Sequence, residues 1–314
     1  MVSRVALIGL GTMGPGIAAR LARGGISVAA WDVAPAAIDR ARAMLPVADA
    51  VLDRLGISPP ESLRERGAGE VRFASSLADC VAGADLVIEN VPENEDIKAA
   101  TYRAIDPLIG PEVIVVSDTS GIPITRLQAH ISNPGRMAGM HWSNPPHIIP
   151  MIEVIAGQAT DPAVIDRLRD LIRSLGLLPV VIRKDVPGFV ENRVLYALLR
   201  EVVDLVEQGV VDAEDMDTCV SWGIGYKLAV IGPMQLLDMA GLDIYRSVAS
   251  FLNADLSTRA DVAPMIEARA QAGKLGIKTG EGIFPYTPER IAQLQAERAR
   301  KLVAVRRILE GGDA

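Results

Sequence analysis

One imidazole and one carboxylate, His141 and Glu153, stand twelve residues apart and bracket the stretch HWSNPPHIIPMIEV. The chain has three histidines, and this one directly ends the apolar run RMAGM, which reads as a buried strand; Glu153 lies inside a second run, MIEVIA. Two neighbouring strands joined by a Pro-rich loop would bring the carboxylate to one ring nitrogen and leave the other facing a cleft. That wiring suits a general acid/base, because the carboxylate fixes the tautomer and steadies the imidazolium. Such a pair gains meaning beside a redox cofactor.

The first fourteen residues supply a place for one. Gly9-Leu10-Gly11-Thr12-Met13-Gly14 follows an expected strand and opens an expected helix, and Asp32 ends the next strand. Gly9 would permit a tight turn, Gly11 close approach of backbone to a pyrophosphate, and Gly14 close packing of helix on strand. Thr12 and Met13 complete the loop, and the diphosphate would rest on the positive end of the helix dipole. Asp32 would accept hydrogen bonds from the adenosine ribose hydroxyls and repel a 2′-phosphate, which favours NAD over NADP. A plain strand-to-helix turn and an FAD site share the glycine pattern; the strand before, the helix after and the acid at this distance favour a dinucleotide, NAD first.

These groups need a scaffold. At 314 residues the chain exceeds one ordinary core, so about two domains are expected. The first half alternates β-branched runs with amphipathic helical stretches, the pattern of a doubly wound, Rossmann-like α/β sheet, mainly parallel. The expected strands are RVALIG, ISVAAWD, EVRFAS, DLVIEN, VIVVSD, RMAGMH, MIEVIA and LPVVIR. From Pro187 onward only helical periodicity appears, with a long helix expected from Pro187 itself and a last one from Pro288 to about Ile308. The expected division is therefore a dinucleotide-binding domain over 1–184, with a helical arm over about 36–69, and an all-α domain over 187–314. Net charge of −7 without a basic block disfavours nucleic acid as a partner. No apolar run approaches the roughly 20 residues needed to cross a bilayer, so no membrane partner and a cytoplasmic location are expected. Cys80 and Cys219 lie far apart without ligand-like spacing, and no metal is expected.

In such a sheet ligands bind beyond the carboxyl ends of the strands. Asn90 to Glu93, Ser117 to Gly121 and His141 to Asn144 should therefore line one cleft. Ser120 can be read as a hydroxyl that meets substrate or as an N-cap for a helix starting near Pro123. Ser117 and Thr119 read better as structural. Asn192 could reach across the cleft or serve only a helical bond. His147 could touch substrate, His130 reads as a surface residue, and Trp142 could stack on a planar ligand or simply pack.

Taken with ENVPENEDIK, DTSG, the H…NP…E block, PGFVENR, GPMQLLDMAGLD and KLGIKTGEGIF, these motifs resemble the 3-hydroxyacyl-CoA dehydrogenase family over nearly the whole chain. The resemblance implies a catalytic histidine at His141, its partner glutamate at Glu153, a site serine at Ser120 and a site asparagine at Asn192. It also implies Glu93 and Lys98 near the nicotinamide and its ribose, NAD as cofactor, a small-molecule substrate and a homodimer through the helical domain. Several features depart from the family pattern. Asp118 and Gly121 flank Thr119-Ser120 where the family usually has Asn and Ser, and HFFNP becomes HWSNP. The arm has no lysine between Ala36 and Gly69, although a CoA ligand carries phosphates that basic groups would ordinarily meet. A CoA-independent member of the family is the first expectation. An ordinary 3-hydroxyacyl-CoA dehydrogenase, a sugar-acid or carnitine type of dehydrogenase, and a non-catalytic NAD-binding protein are the alternatives.

Overall fold

The computed structural model describes residues 2–57 and 69–311. Contacts divide the chain into two units, Met1–Arg193 and Val194–Ala314. The first unit holds one eight-stranded sheet: β1 (Arg4–Ile8), β2 (Ser27–Trp31), β3 (Val71–Phe73), β4 (Leu86–Glu89), β5 (Ile114–Ser117), β6 (Met137–Trp142), β7 (Met151–Ala156) and β8 (Leu178–Ile182). The strand order is β3-β2-β1-β4-β5-β6-β7-β8, and every pairing is parallel except β6 with β7. All eight expected strands are present, and the mainly parallel, doubly wound reading holds.

Helices cover both faces, which is why β1, β4 and β5 are apolar without alternation. On one face Leu7, Ile88, Val116, Met140 and Trp142 pack with Ile17 and Leu21 of α1 (Gly14–Arg23) and with Leu168 and Ile172 of a later helix (Pro162–Ser174). On the other, Ile8, Val87, Val115 and Ile155 pack with Cys80, Tyr102 and Ile105. Trp142 is thus a core residue, 1% exposed. The arm begins as α2 (Pro35–Arg54), which returns Asp49 and Asp53 to Arg23 of α1 at 3.2 and 2.6 Å. Residues 58–68 of the arm, including Glu61 and Glu65, lie outside the described ones.

Pro187 does not start the long helix. Gly188 and Phe189 both take positive φ, 75° and 47°, so the helix begins at Glu191 and runs to Glu207. Among its described residues the second unit is helical, apart from two isolated bridges at Gly276–Glu281 and Glu281–Pro285, and its last helix spans Pro288–Leu309. Asp204 accepts from Ser257 Oγ and, at 2.7 Å, from Arg259 Nε, which ties an irregular segment back to the long helix. Much of this unit's apolar surface is uncovered: Trp222, Met234 and Met239 are each more than 70% exposed.

Candidate active site

Antiparallel pairing of β6 and β7 sets His141 directly opposite Glu153. Cross-strand neighbours stand close enough for their side chains to meet, and here His141 Nδ1 lies 2.8 Å from Glu153 Oε2. Both are buried, at 6% and 1% exposure. The other carboxylate oxygen, Oε1, accepts from the main-chain N–H groups of Val190 at 2.9 Å and Glu191 at 3.0 Å. Burial alone would raise the Glu153 pKa, but the His141 bond, these two amides and the His141 charge outweigh it and hold the carboxyl below its ordinary value. Burial alone would lower the His141 pKa; the Glu153 bond and the charges of Asp118, Glu153 and Glu191 outweigh it and raise the imidazole above its ordinary value. With Nδ1–H committed to Glu153, Nε2 is the nitrogen left to exchange a proton.

The segment Gly188–Asn192 fastens this pair to the neighbouring turn. Gly188 N donates to Gly121 O at 3.3 Å, and Asn192 Nδ2 donates to Ser120 O at 2.8 Å. Phe189 is fully buried, with its ring centroid 6.0 Å from that of His141. A non-glycine residue at positive φ costs of order 1 kcal/mol and persists where surrounding contacts over-determine it; here these bonds do so. Ser120 and Asn192 therefore meet through a main-chain carbonyl, with the Ser120 side chain left exposed. Ser143 Oγ donates to Glu191 Oε2 at 2.5 Å, and Glu191 joins His141 and Glu153 in one cluster.

Glu93 and Lys98 lie behind this turn. Glu93 Oε1 accepts from Thr119 Oγ1 at 2.6 Å and from the N–H groups of Ser120 and Gly121, both at 3.0 Å, so the carboxylate shapes the serine turn. Lys98 is 1% exposed, with Nζ 2.8 Å from Glu89 Oε1 and 3.5 Å from Glu93 Oε2. Glu89, wholly buried, also accepts from Val91 N, Ser117 Oγ and Tyr102 OH. Lys98 and Tyr102 stand one turn apart on the helix Glu95–Ile105 and so reach the same carboxylate. Sequence reasoning missed Glu89; its signal was a charge at the end of the apolar run LVI.

Just past the neighbouring strand β1, at the same carboxyl edge, Gly9 has φ 99°, and a Cβ there would lie 2.3 Å from Asn90 O. A Cβ on Gly14 would lie 2.7 Å from Gly9 O, so α1 packs as closely as the motif requires. Among the described residues nothing lies within 4 Å of a Cβ position on Gly11, and no side chain caps α1 or places an acid in its first turn. Asp32 accepts from Leu10 N and Ala34 N, both at 2.8 Å, which seats it beside the glycine turn. The open backbone of Gly11, Thr12 and Met13 and the uncapped helix start fit a dinucleotide diphosphate. His147 sits against this helix, its Nδ1 2.9 Å from a Cβ position on Gly16 and without a hydrogen-bond partner among the described residues. Burial lowers its pKa and so favours the neutral ring. His130 Nε2 lies 3.9 Å from Glu95 Oε1, at the end of a short 3-10 turn.

Residues 4–186 match the 3-hydroxyacyl-CoA dehydrogenase NAD binding domain, and residues 188–286 match that family's C-terminal domain. A 5-formyl-3-hydroxy-2-methylpyridine 4-carboxylate 5-dehydrogenase of Mesorhizobium japonicum is 73% identical over 311 residues, covering 99% of both chains. An L-carnitine dehydrogenase of Streptomyces griseus is 35% identical over 76% of this chain and 70% of its own. Among solved structures, a 5-formyl-3-hydroxy-2-methylpyridine 4-carboxylic acid 5-dehydrogenase described as an NAD+ dependent dismutase superposes with a TM-score of 0.96 and 72% identity, each chain fully covered. The glycine turn with Asp32, the buried His141–Glu153 pair and these matches agree: the chain belongs to the 3-hydroxyacyl-CoA dehydrogenase family.

Proposed function

We propose that this chain is an NAD-dependent dehydrogenase that oxidises the formyl group of 5-formyl-3-hydroxy-2-methylpyridine-4-carboxylate to a carboxylate, a step in vitamin B6 breakdown. The 73% identity across 99% of both chains carries the choice of substrate. The site carries the chemistry. An aldehyde has no O–H proton, so oxidation to an acid requires an added oxygen first. Cys80 is buried against the Leu7 and Ala29 carbonyls, and burial pushes its thiol up to about 12, so it offers no thiolate for covalent addition. The aldehyde hydrate supplies the hydroxyl instead.

Bound NAD would accept the hydride, with its diphosphate over Gly9, Gly11, Thr12, Met13 and Gly14, its adenosine ribose on Asp32 and its nicotinamide end toward Glu93 and Lys98. Ser120 and Asn192 hold the hydrate's hydroxyls. His141 Nε2 takes a hydroxyl proton while the C–H hydrogen leaves as hydride, and Glu153 steadies the imidazolium that results. The same imidazolium would return its proton to the oxygen of a second aldehyde, to which a bound NADH would supply the hydride. Two aldehydes and one water then yield one acid and one alcohol, with the cofactor regenerated. Dismutation follows from the residues of a single site.

The reading includes a homodimer through the helical unit, whose uncovered Trp222, Met234, Met239 and Phe251 are what a second copy would bury. It also includes a cytoplasmic location; among the described residues no helix is long and apolar enough to cross a membrane. A CoA thioester is disfavoured because the described arm has no lysine and its Arg42 stacks over Phe73 at 4.4 Å.

The test is NADH formation from NAD and the pyridine aldehyde, run beside NADH consumption with acetoacetyl-CoA. Turnover of the aldehyde, with pyridine alcohol accumulating as cofactor recycles, is expected. Turnover of the thioester alone would return the chain to acyl-CoA oxidation.

A further inference from the structure

Three carboxylates are buried at the carboxyl edge of the sheet, and two are saturated. Glu89 accepts from Lys98, Val91, Tyr102 and Ser117, and Glu153 from His141, Val190 and Glu191. The third, Asp118, is 8% exposed and accepts a single bond, to Oδ1 from Trp142 N at 2.8 Å. Its Oδ2 meets no donor and no cation pairs with it among the described residues. A buried carboxyl left this way is costly, and the cost recurs at sites where the group does chemistry. Asp118 follows β5 immediately, two residues before Ser120, its one bond goes to the residue after His141, and its charge acts on the His141 ring.

We propose that Asp118 is the base that adds water to the bound aldehyde, making the hydrate in the site where it is oxidised. This rests on the aldehyde reading of the previous section. The step balances. A water oxygen bonds to the formyl carbon as Asp118 takes a water proton, and the carbonyl oxygen receives a proton from the His141 imidazolium. The products are the hydrate, a neutral Asp118 carboxyl and a neutral His141, which is the form that then takes the hydroxyl proton during oxidation. Hydride departure restores the imidazolium, and Asp118 releases its proton to solvent. Burial raises the Asp118 pKa to about 7, so the carboxylate and the acid interconvert readily near neutral pH. Reduction of the aldehyde by NADH needs no water, so it bypasses Asp118.

The substitution Asp118→Asn keeps an oxygen for Trp142 N and removes the base. Initial rates of aldehyde oxidation with NAD and of aldehyde reduction with NADH are compared for both proteins. The variant is expected to lose oxidation at least about 10-fold more than reduction; equal losses, or no loss, would overturn the proposal. A second measurement is independent of how the variant folds. Wild-type protein without cofactor should accelerate exchange of the formyl oxygen with ¹⁸O-water, and absence of exchange would overturn the proposal as well. Failure of the substrate assignment is distinguishable, since wild-type protein would then turn over the aldehyde in neither direction.

Discussion

Replacing Glu153 by Gln tests the pair at its hinge. Glu153 Oε1 accepts from Val190 N and Glu191 N, and Oε2 lies 2.8 Å from His141 Nδ1. A glutamine can satisfy both main-chain donors only with its oxygen, which turns its NH₂ toward His141. The ring must then accept at Nδ1 and carry its proton on Nε2, the wrong tautomer for a base. Restoring the active tautomer would set two donors face to face in a buried site, at about 2 kcal/mol. Loss of the carboxylate charge beside a buried imidazolium removes about 2 kcal/mol more. The sum is about 4 kcal/mol, or roughly 10³-fold in kcat at 1.36 kcal/mol per decade. Because both main-chain bonds survive, urea stability should change by less than about 1 kcal/mol. The assay is steady-state NADH formation beside a urea melt. A variant within about 3-fold of wild type in kcat would refute the tautomer argument, since the correct ring form would not need the carboxylate.

Lys98→Met would leave buried Glu89 without its counter-charge and should cost about 3–5 kcal/mol of stability in a urea melt; a near-neutral result would mean that Tyr102, Ser117 and Val91 suffice. Asp32→Ala removes the acceptor beside the glycine turn and should raise the KM for NAD about 10- to 100-fold with kcat retained, while narrowing the preference over NADP; unchanged KM values would place the adenosine ribose elsewhere. In the proposed mechanism NADH-driven reduction needs the His141 imidazolium, whose pKa is raised. Its kcat should therefore stay level below the ordinary histidine value of about 6.5 and fall only as pH climbs beyond it; a decline centred at or under that value would contradict the arrangement.

The strands were legible because each is a short, largely apolar run, most of them with β-branched residues, and two adjacent ones carried a histidine and a glutamate into register. The sequence spacing of His141 and Glu153 becomes a direct cross-strand pair in the antiparallel ladder. What was not legible depends on partners far apart in sequence. The amides of Val190 and Glu191 that bind Glu153 come from the entrance of the long helix, 37 and 38 residues away. The expected helix start at Pro187 failed because propensity rules cannot register a Phe189 held at φ 47° by tertiary contacts. Asp118 was visible as a departure from a family pattern, but its isolation could be recognised only once every neighbouring donor had been assigned.

The segment Gly188–Asn192 also bears on how such proteins can be cut and recombined. The match to the family's first domain stops at residue 186 and the match to its second begins at 188, yet the donors that fill Glu153 Oε1 and the side chain that holds Ser120 O lie at 190–192. A fragment ending at 186 would keep the glycine turn, Asp32 and both strands of the pair, so nucleotide binding could outlive its chemistry. Grafting a different helical domain at this seam would exchange the clasp on the base together with the new partner. The boundary that looks like the natural place for evolution to swap modules therefore runs through the proposed active site, and successful chimeras should carry their own 188–192 or graft downstream of Arg193.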